Sequence, residues 1–367
     1  MLCLLSALLP PVLMAAEVKG LYEAEMQVPN QTRGERGLAM SAALAEVVTK
    51  VSGRRDARLQ PKVAKAIRRP ARLLQQYRYR ALPEAMREEA LPGDDPQLVF
   101  FRFDKQAVDR LLRDSGLPVW GATRPSVLAW VAVEDNGRRY LLGADSDEEL
   151  RGVVEAEARR RGLPLLLPLL DLQDQRQVSF ADVWGRFREP VLAASRRYRP
   201  EAVLMGRLSR TPEGKWRAGW WIVEGRDAES WGADGVLAAE VVEEGVAAAV
   251  GWLAARYAPL GGSEEAGRLW LTVREVNGLG DFARVERYLH SLQQVTQVQA
   301  REVTGGRVDF LLDLQGQADG MAQTIALGQV LVPDETVAPV PEAGFEPAAE
   351  GRPPLPPIGR QYYRLRH

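Results

Sequence analysis

Cysteine and histidine are nearly missing from this 367-residue chain. It holds one cysteine, Cys3, and two histidines, His290 and His367. Cys3 lies within the first 16 residues, so beyond them no thiol exists for a disulfide, a nucleophile or a thiolate metal site. Two imidazoles exclude a His-rich zinc centre and leave a Ser-His-Asp triad little to work with. Lysine is scarce as well, six against 42 arginines, a bias that GC-rich codon usage explains. A net charge of −1 argues against nucleic acid as the main partner, which favours a strongly basic chain. Walker loops, a G-x-G-x-x-G after a strand and a G-x-S-x-G elbow are all absent. No catalytic residue, metal or cofactor is therefore assigned.

What is present begins with an uncharged leader, MLCLLSALLPPVLMAA. It is shorter than the ~20 apolar residues a membrane-spanning helix needs. It reads as the apolar part of a secretory signal over residues 1–16, with cleavage near Ala16. No Lys or Arg precedes the run and Met14 suits the cut poorly, so an uncleaved anchor is the competing reading. The expected address is the periplasm, which a cysteine-free mature chain suits.

With 46% apolar and 26% charged residues, the remainder has ordinary globular composition. Its pattern predicts several small α/β sandwich modules, an α/β (mixed α+β) protein. Residues 17–115 form the first. There a strand ends at Pro29-Asn30, Thr32 and Glu35 set a capping box, and Met40, Leu44, Val47 and Val51 share one face of a helix stopped by Gly53. Residues 126–260 form the second: a buried strand over Val127–Val133, a hairpin at Asp135-Asn136-Gly137 and a helix to Arg161. A strand over Leu163–Leu170, a helix over Val183–Tyr198, a three-stranded meander and a long helix ending at Tyr257 complete it. Residues 268–332 read as a split βαβ (ferredoxin-like) unit turned at Gly305-Gly306. Residues 333–367 are a Pro-rich tail expected to be extended and disordered, with Tyr362, Tyr363 and Leu365 able to dock at its end.

Three constellations carry candidate chemistry. Asp171, Asp174 and Asp182 follow a predicted strand's carboxyl end, where ligands bind in open α/β sheets. Two carboxylates there would hold a divalent cation or act as acid and base; otherwise they cap turns. Period two along the meander puts Arg217 and Trp221 on one sheet face and Trp216 and Trp220 on the other. An aromatic beside Arg is a typical interface pair, and core packing is the plainer reading. Arg58, Lys62, Lys65, Arg69 and Arg72 step by four and three along one predicted helix face. Such a stripe would meet an anionic surface, or simply be solvated.

The segments VKGLYEAEMQVPNQT, LAEVVTKVSGRR, LQQYRYR, PLLDLQD, DVWGRF, ASRRY and AVLMGRL together resemble an exported, mainly gammaproteobacterial family known as domain of unknown function 2066. That resemblance implies a periplasmic address and no established activity. The middle module more loosely resembles envelope accessory domains of the curli-export and penicillin-binding-protein-activator kind. The expected function is non-catalytic: binding an envelope protein as an assembly or regulatory factor. The alternatives are a hydrolase of a cell-wall or carbohydrate ligand using the acidic cluster, and a membrane-surface binder using the basic stripe.

Overall fold

The computed structural model describes residues 16–87, 91–93, 95–146, 149–258, 266–292, 295–315, 321, 324–325, 328, 330–334 and 359–366. The chain is a mixed α/β protein. It divides into two compact units, one built from Arg124–Arg159 with Leu163–Trp252, the other from Val18–Thr123, Arg160–Gly162 and the chain from Leu253 onward. No helix of the described residues is long and apolar enough to cross a membrane.

In the first α/β module, strands β1 (Glu23–Val28), β2 (Leu74–Ala81) and β3 (Gln97–Phe103) pair antiparallel in the order β1-β3-β2. Helix α1 (Arg33–Ser52) starts where the Thr32 hydroxyl accepts the Glu35 N–H at 3.4 Å. It ends at Gly53, whose φ of 65° is the left-handed conformation glycine adopts without penalty. Its buried stripe, Met40, Leu44, Val47 and Val51, packs in one core with Val99, Phe101 and Phe103 of β3. Each such side chain contributes about 1.5–3 kcal/mol by leaving water. Helix α2 spans only Pro61–Ile67, and α3 spans Lys105–Asp114.

The central sheet contains β4 (Val127–Asp135), β5 (Arg138–Leu141), β6 (Leu165–Leu166), β7 (Ala202–Arg210), β8 (Trp216–Glu224) and β9 (Asp227–Gly235). Its order is β9-β8-β7-β4-β5, with β6 also pairing β4. Asn136 and Gly137, both at positive φ, form the two-residue turn between β4 and β5, as such hairpins require. Strand β4 is buried from Val127 to Val133 because both its faces are covered. Helix α5 spans Leu172–Gln177, and helices α6 (Phe180–Trp184) and α7 (Arg188–Ser195) share a core with Leu128, Trp130, Val203 and Met205. Helix α4 (Glu149–Arg160) up to Arg159 and helix α8 (Ala238–Tyr257) up to Trp252 also belong to this unit. Trp220, on the other sheet face, meets Gly245 of α8 and donates its indole N–H to the Val241 carbonyl at 3.2 Å.

Two sequence expectations fail here for one reason, proline. The expected strand over Leu163–Leu170 shrinks to Leu165–Leu166, because Pro164 and Pro168 donate no ladder bond. The expected helix over Val183–Tyr198 breaks into α6 and α7 at Gly185-Arg186. Pro190 is tolerated only in a first helical turn, so the helix must restart just before it.

The C-terminal sheet has the order β11-β12-β10-β14-β13, with β10 at Ala266–Arg274, β11 at Val295–Thr304, β12 at Arg307–Gln315, β13 at Leu331–Pro333 and β14 at Gly359–Leu365. Helix α9 (Leu279–Ser291) buries Val285 and Leu289 in this module's core. The second helix that a split βαβ plan places over Met321–Gln329 lies mostly outside the described residues. The tail expected to be disordered over 333–367 is corrected at both ends. Pro333 pairs with Tyr363, and β14 runs parallel to β10. The cause is alternation, which buries Tyr363 and Leu365 in the core. Burial pushes the Tyr363 phenol up to about 12.

Candidate functional site

The three acidic candidates occupy the segment that leads into α5 and α6, and each is committed to the backbone. Asp171 caps α5, accepting N–H groups from Gln173 and Asp174 at 3.1 and 3.0 Å. Its two oxygens also accept both Arg197 amino groups, at 2.7 and 2.8 Å, a bidentate charge-assisted pair. Asp182 closes a reciprocal capping box with Ser179 at the start of α6. Asp174 has a side chain 0% exposed. It accepts the Leu170 N–H at 3.0 Å, the Arg197 guanidinium at 3.1 Å and the Tyr198 hydroxyl. Tyr198 in turn accepts the Leu169 N–H at 2.9 Å. The cluster therefore pins the turn at Leu169–Asp174 to the end of α7. Its oxygens serve as hydrogen-bond acceptors for the fold rather than as a convergent ligand set. Among the described residues no group of three His, Cys, Asp or Glu converges on a cation position.

Arg197 holds the Asp171 carboxyl down to about 2, with the Asp174 N–H adding to the effect. A carboxylate whose folded value lies below its unfolded value stabilises the protein above the unfolded value, near 4, and loses that contribution as pH falls toward 2. Asp171→Asn keeps the cap, since Asn is an equally good N-cap, and removes the charge together with one of the two acceptors for Arg197. The urea midpoint of Asp171→Asn should thus lie below the parent's at pH 6 and converge with it between pH 4 and pH 2. An unchanging gap over that window would refute the assignment.

The basic candidates do not form one helical stripe. Arg58 sits in a 3₁₀ turn before α2, Lys62 and Lys65 lie on α2, Arg69 follows it, and Arg72 ends a second 3₁₀ turn opened by Pro70. Gln60 is extended and Arg69 non-helical, so the continuous face the spacing predicted is cut at both ends. All five side chains are exposed, and the Lys62 ammonium donates to the Asp114 carbonyl.

The aromatic candidate lies in a more developed setting. Cover by α6 and α7 ends over Trp221, and past it the surface of β7, β8 and β9 is open. A hollow of about 520 Å³ lies there, lined by Trp184, Arg186, Arg207, Arg217, Gly219 and Trp221 among others. A second of about 460 Å³ shares Arg186, Trp221 and Ser230 and continues past Arg188 to Val223 and Ala228. Trp221 lies across Gly219, where a Cβ would fall 2.8 Å from the indole, so the wall requires glycine at that position. The Arg186 and Arg207 guanidinium carbons sit 4.5 and 5.3 Å from the Trp221 ring centroid, within cation–π range. Arg217 is paired across the strands with Asp234 at 2.8 Å, an exposed bridge worth at most about 1 kcal/mol.

Two further observations mark this groove. The Trp221 indole nitrogen is buried without a hydrogen-bond partner, an uncommon state for a buried donor. Arg186 has φ of 62°, a left-handed conformation that costs a non-glycine residue about 1–2 kcal/mol. Sequence reasoning reached Trp221 and Arg217 but not Arg186 or Arg207. The Gly185-Arg186 break was announced by Pro190. The stacking of Arg207 on Trp221 follows from the pairing of Trp221 with Met205 and of Gly219 with Arg207, which no local pattern reveals.

A family model, Domain of unknown function (DUF8605), matches residues 15–121. This corrects the sequence-based resemblance to domain of unknown function 2066, which the match does not support. The matched segment ends before β4, so the groove lies outside it. No curated protein matches the chain.

Proposed function

We propose that this protein acts by binding rather than by catalysis, in the bacterial periplasm, with another protein of the envelope as its ligand. The uncharged leader and the cysteine-free remainder support the location. The observation that carries the binding reading is the groove of the central sheet. Arg186 and Arg207 are stacked on Trp221, and neither has a carboxylate partner among the described residues. Unpaired guanidinium groups held on an indole at a concave surface are typical anchors of protein recognition. The acidic cluster favours the alternative of hydrolysis less, because its carboxylates already carry caps and a buried network.

The test is site-specific crosslinking in intact cells. A photoreactive residue in place of Ser230, on the groove wall, should trap one defined protein. The adduct should disappear when Arg207→Gln is added. Absence of any adduct from Ser230, or an adduct indifferent to Arg207, would defeat the proposal.

A further inference from the structure

Building on that reading, we infer that the groove is a strand-addition site for an extended acidic segment of the partner. Among the described residues strand β9 is the edge of the central sheet and pairs on one side only, with β8. It offers nine residues, Asp227–Gly235, whose outward N–H and C=O groups are a template for another strand. Its groove-facing residues follow from the register: Ala228, Ser230, Gly232 and Asp234 stand opposite Val223, Trp221, Gly219 and Arg217. The first three are small and form a low step, so side chains of an added strand can reach across β9 to Trp221, while Asp234 is engaged by Arg217.

The shape favours an extended ligand. The two hollows share Arg186, Trp221 and Ser230 and together run beside β8 from Arg217 to Val223. The six steps of strand from Arg217 to Val223 measure about 20 Å at about 3.3 Å each, the span of an extended peptide and far more than a small anion fills.

The charge selects acidic side chains. Arg186, Arg188 and Arg207 line the hollows without an ion-pair partner among the described residues, while the fourth guanidinium, on Arg217, is already held by Asp234. Carboxylates on alternate residues of an added strand would face the groove together, because side chains alternate along a strand, and guanidinium groups pair with them bidentately. The strained backbone at Arg186 is consistent with a residue retained for contact, since glycine would relieve it.

The probe is an alternating Val-Glu decapeptide, with Val-Lys as its charge-reversed control and dextran sulfate as a non-peptide polyanion. Fluorescence titration of the full chain should show Val-Glu binding at least tenfold tighter than Val-Lys and weakening with added salt. Arg207→Gln and Arg186→Gly should each lower Val-Glu affinity about tenfold. Arg186→Gly should melt no lower than the parent, which separates lost contact from lost folding. Hydrogen exchange should slow across Asp227–Gly235 when the peptide binds. Equal binding of Val-Lys, no binding of Val-Glu, or dextran sulfate binding as tightly as Val-Glu without protection of β9 would each overturn the inference. If Ser230 still traps a protein while Val-Glu fails, the groove remains a protein contact and only the acidic-strand assignment falls. If neither occurs, both fall.

Discussion

Asp174→Ala should destabilise the central unit by about 3–5 kcal/mol, the usual consequence of deleting one member of a buried charged network. The substitution strands the Leu170 N–H, the Tyr198 hydroxyl and one Arg197 contact together. Arg197 keeps its pair with Asp171, but the Leu170 N–H and the Tyr198 hydroxyl lose their carboxylate acceptor. Asp171→Asn, which keeps its cap and lies at the exposed edge of the same network, should cost far less. Chemical denaturation followed by tryptophan fluorescence measures both, since Trp130 lies in the same core as Tyr198. A loss below about 1 kcal/mol for Asp174→Ala, within the range of ordinary surface changes, would show that the carboxylate is dispensable to the fold. It would return Asp174 to the list of residues free for chemistry.

The second large effect is expected at Trp220, which is fully buried. Its ring is accommodated by two absent side chains. A Cβ at Gly206 would lie 2.5 Å from the indole and one at Gly245 2.2 Å from it. Trp220→Ala should cost about 3–5 kcal/mol through lost burial and the cavity left behind. Gly245→Ala should cost about 1–3 kcal/mol through overpacking. The decisive measurement is the double variant. With the indole gone, the three atoms nearest a Cβ at 245 are gone too, and the helix gains up to about 1 kcal/mol from replacing a mid-helix glycine. Gly245→Ala should therefore be neutral or stabilising in the Trp220→Ala background. Simple additivity of the two losses would contradict the contact, because residues in direct contact couple and distant ones do not.

The Thr32 cap, the Gly53 stop, the Asn136-Gly137 hairpin, the meander and the Gly305-Gly306 turn depend on residues within a few positions of one another, and all were legible. The sharing of one sheet face by Arg217 and Trp221 followed from period two alone. Where local expectation and structure part, a proline is the cause: Pro164 and Pro168 in the short strand, Pro190 in the broken helix, and Pro70 at the end of the basic segment.

The remainder depended on partners far apart in sequence. Asp171, Asp174 and Asp182 look identical as carboxylates near a strand end. Whether each is a ligand or a cap depends on Arg197, Tyr198 and the N–H groups that reach it. Likewise the last residues carry a strand-like alternation, yet only the free side of β10 makes β14 a buried strand. The chain by itself determined its helices, turns and sheet faces, because these arise from backbone geometry and side-chain period over short spans. Tertiary structure alone decided which charges were already neutralised and which were left facing an open edge, because register and burial are set by contacts that local periodicity does not encode.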